Sequence, residues 1–291
     1  EQGLTIFDLR SAFLSGRFAT TTNYSMPFFK SNNINFHYQD QGEGKPWIFL
    51  HGMGADLNQA ALVFSRIEGV RFISMDFRGH GKTAFSAPGD FQFRRFADDV
   101  MNLADHLGMK QFGLGGISLG SAVSLNIVSR FPERVRQLVL IRPAWLDKAN
   151  ADNLEVSSLI GSILSQFGEA GAETRFRQSN LFQKLNVDAP GSLESIAGQL
   201  SRPYASVSFS AFSNLVLDSP VDSIETLKNI QQETLVMGNY QDPIHPIGMA
   251  RQLAELLPNA SFYQLPERYV DAEVHYEAAY QRVKKFIAPP F

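Results

Sequence analysis

Short apolar runs alternate with longer segments of helical spacing along most of the chain. The runs are bounded by turn residues, which is typical of buried strands. They lie at residues 47–50, 70–75, 112–117, 137–141, 234–237 and 261–265. Between them, apolar residues recur at the spacing of one helix face, as Phe93, Phe96, Val100 and Leu103 do. This alternation predicts an α/β fold with a mostly parallel sheet and right-handed crossovers.

One further strand is expected before these runs. Ile34, Phe36 and Tyr38 alternate with polar neighbours, and residues 42–46 have turn chemistry. The pattern predicts a hairpin in which this strand pairs with the buried run at 47–50.

The first residues of the chain have no strand or core pattern. We interpret residues 1–31 as an N-terminal extension, with Met26 as a natural start. The alternative is a genuine N-terminal arm that carries a short helix at residues 7–14. No function is assigned to this segment.

The strand and helix alternation stops after Trp145 and resumes near residue 228. Residues 146–227 have helical, polar-rich patterning without a convincing strand run. We therefore predict a helical cap at 146–227, inserted into a core made of residues 32–145 and 228–291.

Composition excludes several function classes. The chain has 291 residues with 26 basic and 29 acidic side chains, so no charge excess favours nucleic acid or an anionic membrane as a partner. It has no cysteine, which excludes disulfides, thiolate nucleophiles and cysteine-bound metals. No cofactor or metal site is predicted. The lack of a membrane-length apolar stretch and of a signal-peptide pattern leads us to expect a soluble, cytoplasmic protein.

A sharp turn at residues 116–120 carries the strongest chemical signal. Its sequence, Gly-Ile-Ser-Leu-Gly, lies between an apolar run and a helical segment. A strand that reverses into a helix holds its apex residue in a strained conformation and needs small neighbours. Ser118 is thereby presented as a nucleophile, and the Leu119 N–H lies at a helix start where it favours a developing oxyanion.

A serine hydroxyl needs a base, and the base needs a carboxylate that orients it. Asp242 follows the predicted strand at 234–237 and precedes a proline, so it suits the acid. Two histidines compete for the base. His275 opens the last helix after the last strand, whereas His245 lies only three residues from Asp242; we favour His275. The other histidines, expected to be solvated or bound to backbone, are His37, His51, His80 and His106.

Two motifs argue weakly for nucleotide binding. Residues 76–83 approach the phosphate-loop pattern, but Asp76 replaces its first glycine and would repel phosphate. Residues 113–118 fail the dinucleotide pattern at its last glycine. Dinucleotide binding is therefore not predicted.

Together these motifs resemble the α/β-hydrolase fold superfamily from residue 34 to the C-terminus. The resemblance rests on residues 51–54 (His-Gly-Met-Gly), 76–81, 116–120, the Asp242 loop and His275. It implies a doubly wound, eight-stranded sheet with a helical cap between the sixth and seventh strands. One departure is that Val274 precedes His275 where the family usually has glycine.

The resemblance also implies the site: Ser118 as nucleophile, His275 as base, Asp242 as its orienting acid, and the Met53 and Leu119 N–H groups as the oxyanion hole. Asp147 is a minor rival acid. The expected activity is hydrolysis of a small carboxylic ester through an acyl-enzyme, as in a carboxylesterase. Alternatives are hydrolysis of a carbon–carbon bond, perhydrolase activity, or a ligand receptor with a slow or vestigial triad.

The cap is rich in phenylalanine, which leads us to expect an apolar acyl pocket and a preference for uncharged esters. The rings concerned are Phe167, Phe176, Phe182, Phe209 and Phe212. The alternative is that most of these rings pack in the interior. Neither the oligomeric state nor the identity of the small-molecule substrate follows from the sequence.

Overall fold

The computed structural model describes residues 27–64, 67–85, 87–201 and 210–287. The short helix at 7–14, considered as the alternative to an N-terminal extension, lies outside the described residues.

One sheet of eight strands, in the order β1-β2-β4-β3-β5-β6-β7-β8, organises the described part of the chain. The pairs from β4 through β8 are parallel, whereas β1–β2 and β2–β4 are antiparallel. The predicted eight-stranded, mostly parallel sheet is therefore confirmed. The strands are β1 Phe28–Ser31, β2 Ile34–Gln41, β3 Lys45–Leu50, β4 Val70–Met75, β5 Phe112–Ile117, β6 Val135–Ile141, β7 Glu233–Gly238 and β8 Ala260–Gln264.

The predicted hairpin between residues 34–38 and 47–50 is wrong. β2 pairs antiparallel with β1 and β4, not with β3. The β1–β2 turn is made by Asn32 and Asn33, both with positive φ (49° and 63°), the conformation that tight two-residue hairpins require. Residues 28–31, placed in the N-terminal extension by the sequence pattern, thus form the edge strand of the sheet.

Helices cover both faces of the sheet. α2, α3 and α10 pack on one face, and α1 and α11 pack on the other. The helices are α1 Leu57–Phe64, α2 Phe93–His106, α3 Leu119–Arg130, α4 Glu155–Phe167, α5 Glu169–Arg177, α6 Asn180–Asp188, α7 Leu193–Ala197, α8 Ser210–Asn214, α9 Ile224–Lys228, α10 Ile247–Leu256 and α11 Ala272–Ile287. The sheet is doubly wound, which confirms the predicted fold class.

Between β6 and β7 the described residues form helices α4 to α9 and no strand. A separate hydrophobic cluster is formed by described residues that include Val156, Phe176, Leu193 and Phe212, whereas Leu154 and Leu227 pack with the main core. This is the arrangement of a small helical layer set on the sheet domain. The division of the chain at residues 146 and 227 stays a prediction.

None of the helices among the described residues combines the length and the apolar character that crossing a bilayer requires.

Candidate active site

The turn that carries Ser118 joins β5 to α3. Ser118 has φ 54° and ψ −110°, a backbone conformation that residues other than glycine rarely adopt. Its N–H donates to the carbonyl of Ile141 at 2.9 Å. The flanking glycines are required by space: a Cβ on Gly116 would lie 2.3 Å from the Gly120 carbonyl carbon, and a Cβ on Gly120 would lie 2.4 Å from the Leu50 carbonyl oxygen. The predicted strained apex with small neighbours is therefore present.

His245 is the histidine that meets this serine. Its Nε2 lies 2.8 Å from Ser118 Oγ, and its Nδ1 lies 2.9 Å from Asp242 Oδ1. With Nδ1–H donating to the carboxylate, Nε2 is left as the acceptor of the Ser118 hydroxyl proton. All three side chains are buried. They have the mutual geometry of a nucleophile, a base and an orienting acid.

The loop after β7 curls around the Asp242 carboxylate, and this places His245. Asp242 Oδ1 accepts hydrogen bonds from the backbone N–H groups of Ile244 at 3.3 Å and His245 at 3.2 Å. Such a turn around an aspartate folds the following residues back over the carboxylate. Pro246 then starts α10 directly after His245, so the imidazole is held between a tight turn and a helix.

His275, the histidine that the sequence favoured as the base, does not meet Ser118 in the structure. His275 lies in the first turn of α11, and its Nδ1–H donates to the carbonyl of Pro266 at 2.8 Å. Among the described residues it makes no hydrogen bond with Ser118 or Asp242. Burial, reinforced by the charge of Arg142, lowers the pKa of His275 to about 4, which is typical of a neutral, buried ring. Asp147 likewise makes no contact with either histidine.

Arg142 completes the buried cluster, and sequence reasoning missed it. Its Nε donates to Asp242 Oδ2 at 3.0 Å, its Nη2 donates to the same oxygen, and Nη2 also lies 3.0 Å from His245 Nδ1. Arg142 has φ 50°, and its N–H donates to the carbonyl of Met237 at 2.7 Å. The end of β6 is thus tied to β7 on one side and, through Ile141, to Ser118 on the other.

The electrostatics of the cluster favour a charged acid and a neutral base. Burial alone would raise the pKa of Asp242, but the charge of Arg142 and the hydrogen bonds that Arg142 and His245 donate hold it well below its usual value. Burial lowers the pKa of His245, and Arg142 lowers it further, whereas Asp242 opposes both effects. A neutral imidazole beside an ionised carboxylate can accept the proton of Ser118 near neutral pH.

The two N–H groups expected to form the oxyanion hole belong to the residues directly after Ser118 and Gly52, and a Cβ on Gly52 would lie 3.5 Å from the Cβ of Ser118. Leu119 is the first residue of α3 and Met53 follows β3, and neither N–H donates to a described residue. Gln59 Oε1 accepts from the Gly52 N–H at 2.7 Å and fixes the loop that carries Met53. Two unengaged donors at a helix start and a neighbouring loop are the arrangement that stabilises an oxyanion.

The family model of the alpha/beta hydrolase fold matches residues 45–273 of this chain. The chain belongs to the α/β hydrolase fold family. The match includes the strand, turn and loop that carry Ser118, Asp242 and His245, and it confirms the resemblance found in the sequence.

Two curated relatives that are similar to most of this chain are named as a hydrolase and a deacetylase. The 2-hydroxymuconate semialdehyde hydrolase of Pseudomonas putida is 28% identical over 238 residues, which cover 79% of this chain and 81% of the relative. The pyrrolizixenacetamide deacetylase of Xenorhabdus hominickii is 23% identical over 258 residues, which cover 81% of this chain and 88% of the relative. The similarity therefore spans most of both chains.

Solved structures agree in fold. The enol-lactonase from Burkholderia xenovorans superposes with a TM-score of 0.70 at 20% identity, covering 90% of this chain and 99% of the other. A thermophilic esterase from Thermogutta terrifontis gives a TM-score of 0.67 at 21% identity, covering 92% and 100%. At these identities the similarity establishes the α/β hydrolase fold alone.

Of the remaining histidines, His37, His51 and His80 are buried, and His106 is exposed as expected. His51 donates from Nδ1 to the Gly52 carbonyl at 2.8 Å and accepts from the Phe77 N–H at 3.0 Å, and His80 bonds the Arg78 carbonyl at 3.0 Å, as expected for backbone-bound rings. His37, expected to be solvated, is instead buried.

His37 is buried because it pairs with the loop that follows β4. Its Nδ1–H donates to Asp76 Oδ2 at 2.6 Å, and the same carboxylate accepts from the N–H groups of Leu57 and Lys82, both at 2.8 Å. Asp76, the residue that departs from the phosphate-loop motif, therefore holds this turn in place through its hydrogen bonds.

The phenylalanines of the cap are used for packing. Phe176 and Phe212 are buried in the hydrophobic cluster of the cap, and Phe182 packs against that cluster. Phe167 is exposed, with the Arg175 guanidinium 4.7 Å from its ring centre. Phe209 lies outside the described residues. The described rings therefore give no support to the expected apolar acyl pocket.

Proposed function

We propose that this chain is a serine hydrolase in which Ser118 attacks an acyl carbon, His245 is the general base, and Asp242 orients it. The observation that carries the proposal is the pair of short contacts on His245: 2.8 Å from Nε2 to the Ser118 hydroxyl and 2.9 Å from Nδ1 to Asp242. Each contact is within the reach that proton transfer requires.

The chemistry follows from these positions. As the Ser118 oxygen bonds to the acyl carbon, its proton moves to His245 Nε2, and the negative charge on the carbonyl oxygen is stabilised by the N–H groups of Met53 and Leu119. The bond to the leaving group then breaks, and the leaving group takes its electron pair and the proton from His245. Water attacks the acyl-enzyme by the reverse sequence and restores the Ser118 hydroxyl.

A small carboxylic ester is the substrate class that this mechanism serves most simply, with carboxylesterase-like turnover. A second candidate is hydrolysis of a carbon–carbon bond next to a carbonyl, because the Pseudomonas putida relative is named as a hydrolase of 2-hydroxymuconate semialdehyde. In that case the leaving group is a carbanion that takes its proton from His245. The expected preference for uncharged esters stays a prediction, without support from the rings that motivated it.

Labelling with a fluorophosphonate tests the proposal. The reagent forms a covalent bond only with an activated serine, so we expect its mass on the peptide that contains Ser118 and loss of labelling in Ser118→Ala. Ser129→Ala is a control near the C-terminal end of α3, the helix that begins after Ser118, and it should label normally. Unchanged labelling of Ser118→Ala would overturn the proposal. Absent turnover of both p-nitrophenyl acetate and p-nitrophenyl butyrate by a protein that labels would favour the carbon–carbon hydrolase or a receptor with a slow triad.

A further inference from the structure

A guanidinium without a carboxylate partner lies beside this site. Arg268 is half-buried in the loop between β8 and α11. Its Nε donates to Tyr276 Oη at 3.3 Å, its Nη1 donates to Ser195 Oγ at 3.4 Å, and it stacks 5.0 Å from the ring centre of Tyr269. Among the described residues no carboxylate forms an ion pair with Arg268. The charge of Asp242 favours the Arg268 cation, but Asp242 forms no ion pair with it. A guanidinium has five N–H donors, and within the described part of the chain only two of them bond Tyr276 and Ser195, so donors remain for an anionic ligand.

The acidic residue next to Arg268 is engaged elsewhere. Glu267 accepts the Tyr240 N–H at 3.1 Å with one oxygen and the side-chain amide of Asn239 at 3.3 Å with the other. Its carboxylate is thus directed to the end of β7. Among the described residues, Glu267 makes no hydrogen bond or ion pair with Arg268.

A chain of contacts joins Arg268 to the nucleophile. Tyr276, which Arg268 contacts, also bonds Gln59, and Gln59 accepts the N–H of Gly52 at 2.7 Å. A Cβ on Gly52 would lie 3.5 Å from the Cβ of Ser118. Two side chains, Tyr276 and Gln59, and the backbone of Gly52 therefore connect Arg268 to the serine.

The charge of Arg268 acts on His245 as well. Burial is the largest cause of the lowered pKa of His245, and the positive charges of Arg142 and Arg268 add to it, while Asp242 opposes them. Arg268 is thus electrostatically coupled to the proposed base.

The cap supplies a second polar group without a partner. Gln199 follows α7 and its Oε1 is buried without a hydrogen bond among the described residues; its amide nitrogen makes none either. A Cβ on Gly54 would lie 1.9 Å from Gln199 Oε1, so the amide sits against the loop that carries Met53. Ser195, one helical turn earlier, is the residue that contacts Arg268. α7 and the turn after it therefore place Ser195 against Arg268 and Gln199 against the Gly54 loop, both where the cap meets the core.

We propose that Arg268 and Gln199 bind a carboxylate carried by the substrate at a distance from the acyl carbon. This inference rests on the proposed function and names its substrate class: half-esters, or related acyl compounds, of dicarboxylic acids. A guanidinium offers paired N–H donors that match the two oxygens of a carboxylate. The amide of Gln199 adds a neutral donor, because its N and O ends exchange by rotation about the last bond. The bound carboxylate forms the direct ion pair that Arg268 lacks among the described residues.

A matched pair of esters tests this site. Mono-p-nitrophenyl glutarate and p-nitrophenyl glutaramate have nearly the same shape and differ in a terminal carboxylate or amide. We expect the wild-type KM to be about tenfold or more lower for the acid, as hydrogen bonds to charged groups imply. Arg268→Met should raise that KM roughly 10- to 100-fold and change the KM of the amide by less than about threefold.

Gln199→Glu is a second variant that leaves the contacts of Arg268 in place. Its added negative charge should raise the KM for the acid and hardly change that for the amide. If Arg268→Met and Gln199→Glu change the KM of the acid and the KM of the amide equally, Arg268 serves only to hold the cap against the core. The proposed site is then refuted. Equal wild-type KM values for acid and amide would refute it as well.

Binding without turnover separates this inference from the proposed hydrolase function. Titration calorimetry of Ser118→Ala with monomethyl glutarate should show binding that is lost in Ser118→Ala/Arg268→Met. If this binding is present but the wild type hydrolyses neither ester, the carboxylate site stands and the ester hydrolase function fails. If both esters are hydrolysed but monomethyl glutarate does not bind Ser118→Ala, the hydrolase stands and the carboxylate site is refuted.

Discussion

Arg142 should set the pH range in which this enzyme works. The base is active only when its imidazole is neutral, and a neighbouring positive charge disfavours the imidazolium. Arg142 Nη2 lies 3.0 Å from His245 Nδ1, and the other charges that act on His245 are Asp242 and Arg268. Replacing Arg142 with glutamine removes one cation, so the pKa of His245 rises and activity is lost at a higher pH than in the wild type.

The size of this shift can be bounded. Two unit charges about 4 Å apart interact by roughly 4 kcal/mol at an effective dielectric constant of 20. At about 1.36 kcal/mol per pKa unit, this gives a ceiling of about three units. Solvent and the Asp242 carboxylate reduce the effect. We therefore expect the acid limb of the pH profile, where activity falls as the pH decreases, to lie about one pH unit or more higher in Arg142→Gln than in the wild type. The wild-type limb itself should lie below pH 6.5, since burial and Arg142 lower the pKa of His245.

The assay is the pH profile of kcat/KM for p-nitrophenyl butyrate, which reports ionisations of the free enzyme. Arg142→Lys retains a cation and should keep most of the wild-type profile. Arg71→Gln is a matched control, because Arg71 pairs with Asp40 near the opposite edge of the sheet. A folded Arg142→Gln variant with the wild-type acid limb and only a lower rate would refute the electrostatic role and leave Arg142 a purely structural residue.

The remaining predictions concern backbone space around the serine turn. Gly120→Ala should lower the free energy of unfolding by about 1–3 kcal/mol, because its Cβ would lie 2.4 Å from the Leu50 carbonyl oxygen. Gly171→Ala, inside α5 with no atom near the added Cβ, should instead raise stability by about 0.5–1 kcal/mol. Urea unfolding measures both, and equal midpoints for the two variants would show that the serine turn is not sterically constrained.

Buried strands were predictable because their apolar runs contrast sharply with the turns around them. β4 and β5 match the predicted ranges, and β3 and β7 extend theirs by a few residues. β1 was missed because a four-residue edge strand with only Phe29 buried leaves little pattern. The false hairpin has a related cause: nearness in sequence favoured pairing β2 with β3, whereas β2 lies against β4.

The candidate site was predictable where position along the strands decides it. Ser118 follows β5 and Asp242 follows β7, as the alternation indicated. His245 was underestimated because its placement depends on two backbone hydrogen bonds to Asp242, a turn that periodicity does not reveal. The sequence does contain a signal for this turn, because one proline follows Asp242 and another follows His245.

Arg142 could not be found from sequence, for a different reason. Its distance from Asp242 depends on the register of β6 against β7 and on its positive φ, neither of which a local pattern contains. Arg268 is a similar case, because its lack of a carboxylate partner is evident only once Glu267 is seen to bond elsewhere.

The central claim is that His245 activates Ser118, and a comparison of two alanine variants tests it directly. With p-nitrophenyl butyrate, His245→Ala should lower kcat by about 10⁴- to 10⁶-fold, the scale typical of such residues, and its residual rate should lose the acid limb. His275→Ala, provided that circular dichroism shows it folded, should retain kcat within about tenfold, since His275 bonds the Pro266 carbonyl and not Ser118. The opposite pattern, an inactive His275→Ala and a nearly normal His245→Ala, would contradict the account.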